Sequence, residues 1–183
     1  MKKQIIQKIE IPEGVEVVIQ EKTLNVSGKE GKISKIFNGK FNISKKDNRI
    51  IVGNEKATKK EKKLINTAAA HIKNIINGVQ KKYFYTLKVC NVHFPMNIHI
   101  DGNEVVVKNF LGEIKERRIK IPEGVEVKIN KDIVIISGSD IYKTGQAAAN
   151  LEKVTNIKYR DRRVFQDGIF IIEKAAVGGS TVA

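Results

Sequence analysis

Apolar and polar positions alternate along much of this chain, as in Leu24-Asn25-Val26, Ile98-His99-Ile100 and Val125-Glu126-Val127. A two-residue period places one side chain in two on a buried face, so these stretches predict short, half-buried β-strands. Two segments break that period. Thr58-Lys59-Lys60-Glu61 is a capping box: the threonine oxygen accepts a backbone N–H and the glutamate reaches back to another. After it, Leu64, Ile65, Ala68, Ala69, Ile72, Ile75 and Ile76 fall on one broad helical face suited to packing on a sheet, and Asn77-Gly78 is the expected stop. A second, weaker helix is predicted over 140–154, with Ile141, Ala148 and Leu151 inward and with Gly145 costing about 1 kcal/mol of propensity relative to Ala. Its Gly-Gln-Ala-Ala-Ala run admits close approach of the sheet or of a backbone from outside the protein.

The string IPEGVEV occurs at 11–17 and again at 121–127. A literal repeat in that register leaves the second copy without most of its sheet. Aligning Pro12 with Pro95 explains more. Leu24 and Val26 then match Val105 and Val107, the turn at Lys46-Asp47-Asn48 matches Asn130-Lys131-Asp132, and Ile50–Gly53 matches Ile135–Gly138. The two IPEGVEV copies then sit at non-equivalent places, and the string reads as a strand-opening device: proline fixes φ, glycine permits the turn, and Val-x-Val starts the strand. The predicted fold is α+β, with two tandem similar domains, each a small antiparallel β-sheet of two hairpins packed on one α-helix. The expected bounds are 1–82 and 83–174, joined through Gln80–Phe84, with a flexible tail over 175–183.

Charge changes the picture most. The 183 residues include 34 Lys+Arg against 20 Asp+Glu, a formal net charge of +14. Such an excess favours a polyanionic partner, nucleic acid first and an anionic membrane second. One cysteine, Cys90, excludes an intrachain disulfide. Lys8, Glu10 and Glu13 interrupt the apolar start, and no run approaches the roughly 18 apolar residues of a membrane span, so a soluble intracellular protein is expected.

Catalytic chemistry is not visible. His71 falls beside the apolar helix face, His93 and His99 lack partners at metal-ligand spacing, and Cys90 reads as a small buried hydrophobe in a strand. There is no nucleophile elbow, phosphate loop or dinucleotide fingerprint. The reading is of a non-enzyme without metal, cofactor or small-molecule substrate.

The cations are unevenly placed. Residues 1–82 hold 19 Lys+Arg and 8 Asp+Glu, with a cluster at Lys59, Lys60, Lys62 and Lys63. In the second half, Lys158, Tyr159, Arg160, Arg162 and Arg163 surround the single Asp161. Guanidinium forks grip phosphate oxygens in pairs, and a tyrosine ring lies against a base or ribose. Asp161 cannot absorb all three arginines, although Asp167, Glu152 and Glu173 are further internal partners.

Gln146, this basic stretch, the run Arg163-Val164-Phe165-Gln166-Asp167-Gly168-Ile169-Phe170-Ile171 and the closing Lys174 together resemble the signature of the L6 family of large-subunit ribosomal proteins, in its archaeal and eukaryotic cytosolic form. The resemblance implies two similar domains and binding of large-subunit rRNA, mainly through the second domain, near the sarcin–ricin loop where translational GTPases dock. It also implies neighbouring large-subunit proteins as partners and a place on the cytoplasmic ribosome. Under it, Lys158, Tyr159, Arg160, Arg162, Arg163, Lys143, Gln146 and Lys174 become the expected rRNA contacts, Asp167-Gly168 the turn that sets the final strand, and Phe165 and Phe170 its packing. The alternative is a free-standing RNA-binding chaperone or regulator.

Overall fold

A computed structural model describes residues 3–177, and the chain divides into two units, 1–82 and 83–183. The first runs β1 (Lys3–Glu10), β2 (Glu16–Gln20), β3 (Thr23–Gly28), β4 (Gly31–Ile36), β5 (Asn42–Lys46), β6 (Arg49–Ala57) and α1 (Lys59–Gln80). Its strands form two antiparallel sheets, β1-β6-β5 and β2-β3-β4. Side chains from both sheets, including Leu24, Val26, Ile50 and Val52, meet Ile65, Ile72 and Val79 of α1 in one core. Truncating any of the fully buried isoleucines to alanine costs about 2–5 kcal/mol.

The second unit repeats this order. It runs β7 (Tyr83–Cys90), β8 (Asn97–Asp101), β9 (Glu104–Lys108), β10 (Arg117–Lys120), β11 (Val125–Asn130), β12 (Ile133–Gly138) and α2 (Ile141–Val154), then adds β13 (Gly168–Val177). The sheets are β11-β12-β7-β13 and β10-β9-β8. Each unit thus has two sheets rather than one, because each opens with a strand, β1 or β7, that the hairpin–hairpin–helix reading omitted. That strand pairs with the last strand before the helix, leaving three intervening strands, β2–β4 or β8–β10, to form their own sheet.

Both IPEGVEV copies lead into a strand, the first into β2 and the second into β11, so they occupy different places in their units. Gly14 and Gly124 share the same φ of +81°, and the Val125 N–H donates to the Pro122 carbonyl. This is the geometry of a tight turn whose third residue must be left-handed, a position that suits glycine.

The capping box at Thr58 and Glu61 is complete. The helix, however, passes through Asn77-Gly78 and ends at Gln80. Gly78 is buried there, and the Val79 carbonyl, freed at the helix end, accepts from the Glu30 N–H at 2.9 Å. Leu64 lies outside the apolar face and is exposed. In α2, the small residues face their own sheet: a Cβ on Gly145 would stand 2.9 Å from the Tyr85 hydroxyl oxygen. The expected tail beginning at 175 is instead strand as far as Val177, while the rest of that segment, 178–183, lies outside the described residues.

Candidate nucleic-acid interface

The basic stretch becomes a long connection between α2 and β13, and three anchors shape it, Thr155 and Asp167 buried and Asp161 exposed. Thr155 caps the end of α2, donating through its hydroxyl to the Glu152 carbonyl at 3.2 Å and accepting from the Ile169 N–H at 2.9 Å. It therefore fastens the beginning of the connection to its end. Asp161 makes a local turn, accepting the Arg163 N–H at 2.9 Å while its carbonyl receives the Phe165 N–H at 3.0 Å. Asp167, 3% exposed, accepts the backbone N–H groups of Val92 and His93 at 2.7 and 2.8 Å and faces His93 Nδ1 at 2.5 Å. Burial alone would push this carboxyl up, but these donors outweigh burial and hold it below the ordinary carboxylate range. Gly168 follows with φ of +152° and pairs with Cys90, starting β13.

Asp167 thus serves the protein's interior and, among the described residues, pairs with no arginine. Among Arg160, Arg162 and Arg163, only Arg163 forms a salt bridge among the described residues, with Asp161 at 2.7 Å, and it remains exposed, while Arg160 helps, after Arg117, to hold the Glu113 carboxyl below its ordinary value. Arg160 lies over the Phe165 ring, 5.0 Å from its centroid, with His93 against the same ring at 5.0 Å. Arg162 borders a cleft of about 340 Å³ that also takes in Phe165, Gln166, Phe170, Asn156 and Cys90. Tyr159 has φ of +61° and is 103% exposed. A left-handed tyrosine with its whole ring in solvent has no packing reason for its position. Lys158 is likewise exposed and has no carboxylate partner among the described residues.

The structure gathers Lys158, Tyr159, Arg160, Arg162 and Arg163 on one connection but leaves the other expected contacts elsewhere. Lys143 lies near the start of α2, about 18 Å along the axis from Thr155, with its Nζ 3.4 Å from the Glu123 carbonyl. Gln146, on the same exposed side, donates to Asn150 at 2.7 Å. Lys174 is carried away by β13, beside the Glu173–Thr86 pair at 3.1 Å and beyond the strand's register shift. Cys90, expected to be buried, is half-buried at the cleft because it ends its strand.

Arg117 is a supporting residue that the sequence pattern did not reveal. Its guanidinium stacks 4.3 Å from the Phe110 centroid, pairs with Glu113 and donates to the carbonyls of Val154 and Asn156. It thereby satisfies carbonyls left open at the end of α2. The Glu113–Arg117 spacing resembles a helical ion pair, yet these residues span a loop and β10, so periodicity gave no signal. Arg118 is absorbed by Glu116, Asp101 and Glu104. Among the described residues no group of histidine, cysteine and carboxylate side chains is placed to hold a metal ion, and no helix is long and apolar enough to cross a membrane.

The arrangement can hold an extended anion; it has no nucleophile paired with a base. The family model for ribosomal protein L6 matches the chain twice, over residues 11–82 and 94–168. The chain belongs to the ribosomal protein L6 family. The first match runs from just before β2 to the end of α1 and the second from just before β8 to the start of β13, so each covers the strand order that the two units share apart from their opening strands. Similar proteins include the large ribosomal subunit protein uL6 of Sulfurisphaera tokodaii, 41% identical over 176 residues that cover 95% of each chain. That of Aeropyrum pernix is 37% identical over 175 residues, covering 94% of this chain and 96% of its own. That of Methanobrevibacter smithii is 41% identical over 171 residues, covering 93% and 96%. Membership in the L6 family makes this a structural, non-enzymatic protein.

Proposed function

We propose that this chain is a structural constituent of the large ribosomal subunit in the cytoplasm, holding large-subunit rRNA through the connection between α2 and β13. The observation that carries the reading is the state of its cations. Among the described residues Lys158, Arg160 and Arg162 form no salt bridge, Arg160 meeting a carboxylate only through the field it exerts on Glu113, on a backbone tied down by Thr155 and Asp167. A fixed display of unneutralised forks beside an exposed ring suits a folded RNA, whose phosphates and ribose hydroxyls are presented in a fixed shape. The finer part of the proposal follows from the family resemblance: the RNA lies near the sarcin–ricin loop, where translational GTPases dock and other large-subunit proteins are close. Lys143, Gln146 and Lys174 are secondary candidates because they stand apart from the connection.

The test uses large-subunit particles stripped of this protein and rebound with it across a salt series. Each phosphate contact contributes about 0.7–0.9 to the slope of log affinity against log salt. Replacing Arg160, Arg162 and Arg163 together by Ala is expected to weaken rebinding and flatten the slope by about 2–3. Unchanged affinity and slope would remove these residues from the interface. A chain found mainly outside large subunits on fractionation would point instead to a free-standing RNA-binding regulator.

A further inference from the structure

The solvent face of α1 combines features that its own fold does not require. Lys59, Lys63, Asn66, Ala70, Lys73 and Asn77 succeed one another at spacings of four and three and form a straight row about 27 Å long, with Lys62 beside it. All seven are exposed. Across an arc of about 160° around this row α1 itself carries no carboxylate, and Glu10, which borders the cleft beside Lys73 and Asn77, is paired with Arg49. The helix has a single acid, Glu61, and that side chain is turned back to the Thr58 N–H at 2.6 Å. Among the described residues, Lys59, Lys62, Lys63 and Lys73 form no ion pair. Three of the four crowd the helix N-terminus, where the backbone dipole opposes positive charge. Helix formation is thus opposed by the same lysines that a polyanion would attract.

We infer that this face is a second RNA-backbone contact, separate from the connection between α2 and β13. Ammonium groups in a row, with Ala70 leaving room between them and the Asn66 and Asn77 amides available as further donors, fit a phosphate strand read without regard to base sequence. Apolar side chains adjoin the row only at its C-terminal end, where Lys73 and Asn77 border a cleft shared with Ile9, Ile11, Pro12 and Ile76; the rest of the row carries no aromatic or apolar anchor, which disfavours a protein partner there. The identity of the polyanion as rRNA rests on the function proposed above; the charge argument does not.

Two measurements test this. The first rebinds the full chain carrying Lys59→Gln, Lys62→Gln, Lys63→Gln and Lys73→Gln to the stripped large-subunit particles. The slope of log affinity against log salt should flatten by about 3, with the melting temperature of the free protein unchanged or raised. The second places photoreactive p-benzoylphenylalanine at Ala70, which points outward, and expects crosslinks to rRNA. An unchanged slope, or crosslinks to protein alone in particles that incorporate the chain normally, would overturn the inference while leaving the arginine surface intact. Failure of the wild-type chain to rebind would instead defeat the large-subunit reading, and this inference with it.

Discussion

Asp167→Ala tests whether the connection between α2 and β13 is held from inside. The carboxylate accepts two backbone N–H groups and faces the His93 ring. A hydrogen bond to a charged group contributes about 1.5–3 kcal/mol, so losing both backbone bonds would cost roughly 3–6 kcal/mol without relaxation. Val92 is 64% exposed, so water can replace part of what its N–H loses. The expected loss is therefore about 2–3 kcal/mol, with Asp167→Asn, which keeps one carbonyl acceptor, near 1 kcal/mol. Because the two units need not unfold together, the assay is amide hydrogen exchange of the second unit, read at Val92, His93 and the strands β7 and β13. Rebinding to stripped subunits should weaken as well, although no cation has changed. The acid limb gives a separate check. A carboxyl held lower in the folded than in the unfolded chain, where its value is about 3.9, contributes stability above that pH. That contribution is lost as pH falls through the folded value, so Asp167→Asn should flatten the loss of stability below about pH 4. An Ala variant within about 0.5 kcal/mol of wild type, or an unaltered acid limb, would refute the reasoning.

Gly145→Ala should destabilise despite alanine's better helix propensity, because its Cβ would meet the Tyr85 hydroxyl at 2.9 Å. Adding Tyr85→Phe removes that oxygen and leaves the nearest ring carbon at 3.4 Å, so thermal denaturation should show the double variant to be the more stable of the two. Thr58→Ala removes the hydroxyl side of the α1 capping box and should cost about 1 kcal/mol, measured by urea unfolding with exchange at Glu61 as the local probe. Single alanine replacements of Arg160 and Arg162 should weaken rebinding more than Arg163→Ala, because Arg163 must first give up part of its Asp161 contact to reach phosphate. Equal losses at all three positions would show that the ion pair is irrelevant to binding.

Much of the local structure was legible because it rests on local chemistry. The box at Thr58, the apolar face of α1 and the Pro-Glu-Gly turn each depend on neighbours a few residues away. The Pro12–Pro95 register was also legible, since hairpins and turns recur at matching positions in the two units. Long-range pairing was not. Nothing near Tyr83 announces that β7 lies between β12 and β13, because that depends on strands distant in sequence. The helix stop at Asn77-Gly78 failed for a related reason: Gly78 is buried where α1 packs, and tertiary burial overrode its stop signal. In the candidate interface, the arginines could be picked out from composition. The inward role of Asp167 and the clamp made by Arg117 could not, since their partners lie 75 and 37 residues away in sequence.

The closing strand has a consequence for synthesis. Every strand of the first unit precedes Lys82, so that unit can fold while the ribosome is still translating the second. By contrast, β13 follows α2 and the connection in the chain, and it must pair with β7 before Thr155 and Asp167 can pin that connection. The connection is therefore made before the strand that fixes it. It stays unanchored on the nascent chain until β13 has cleared the exit tunnel and reached β7, a strand synthesised about 80 residues earlier.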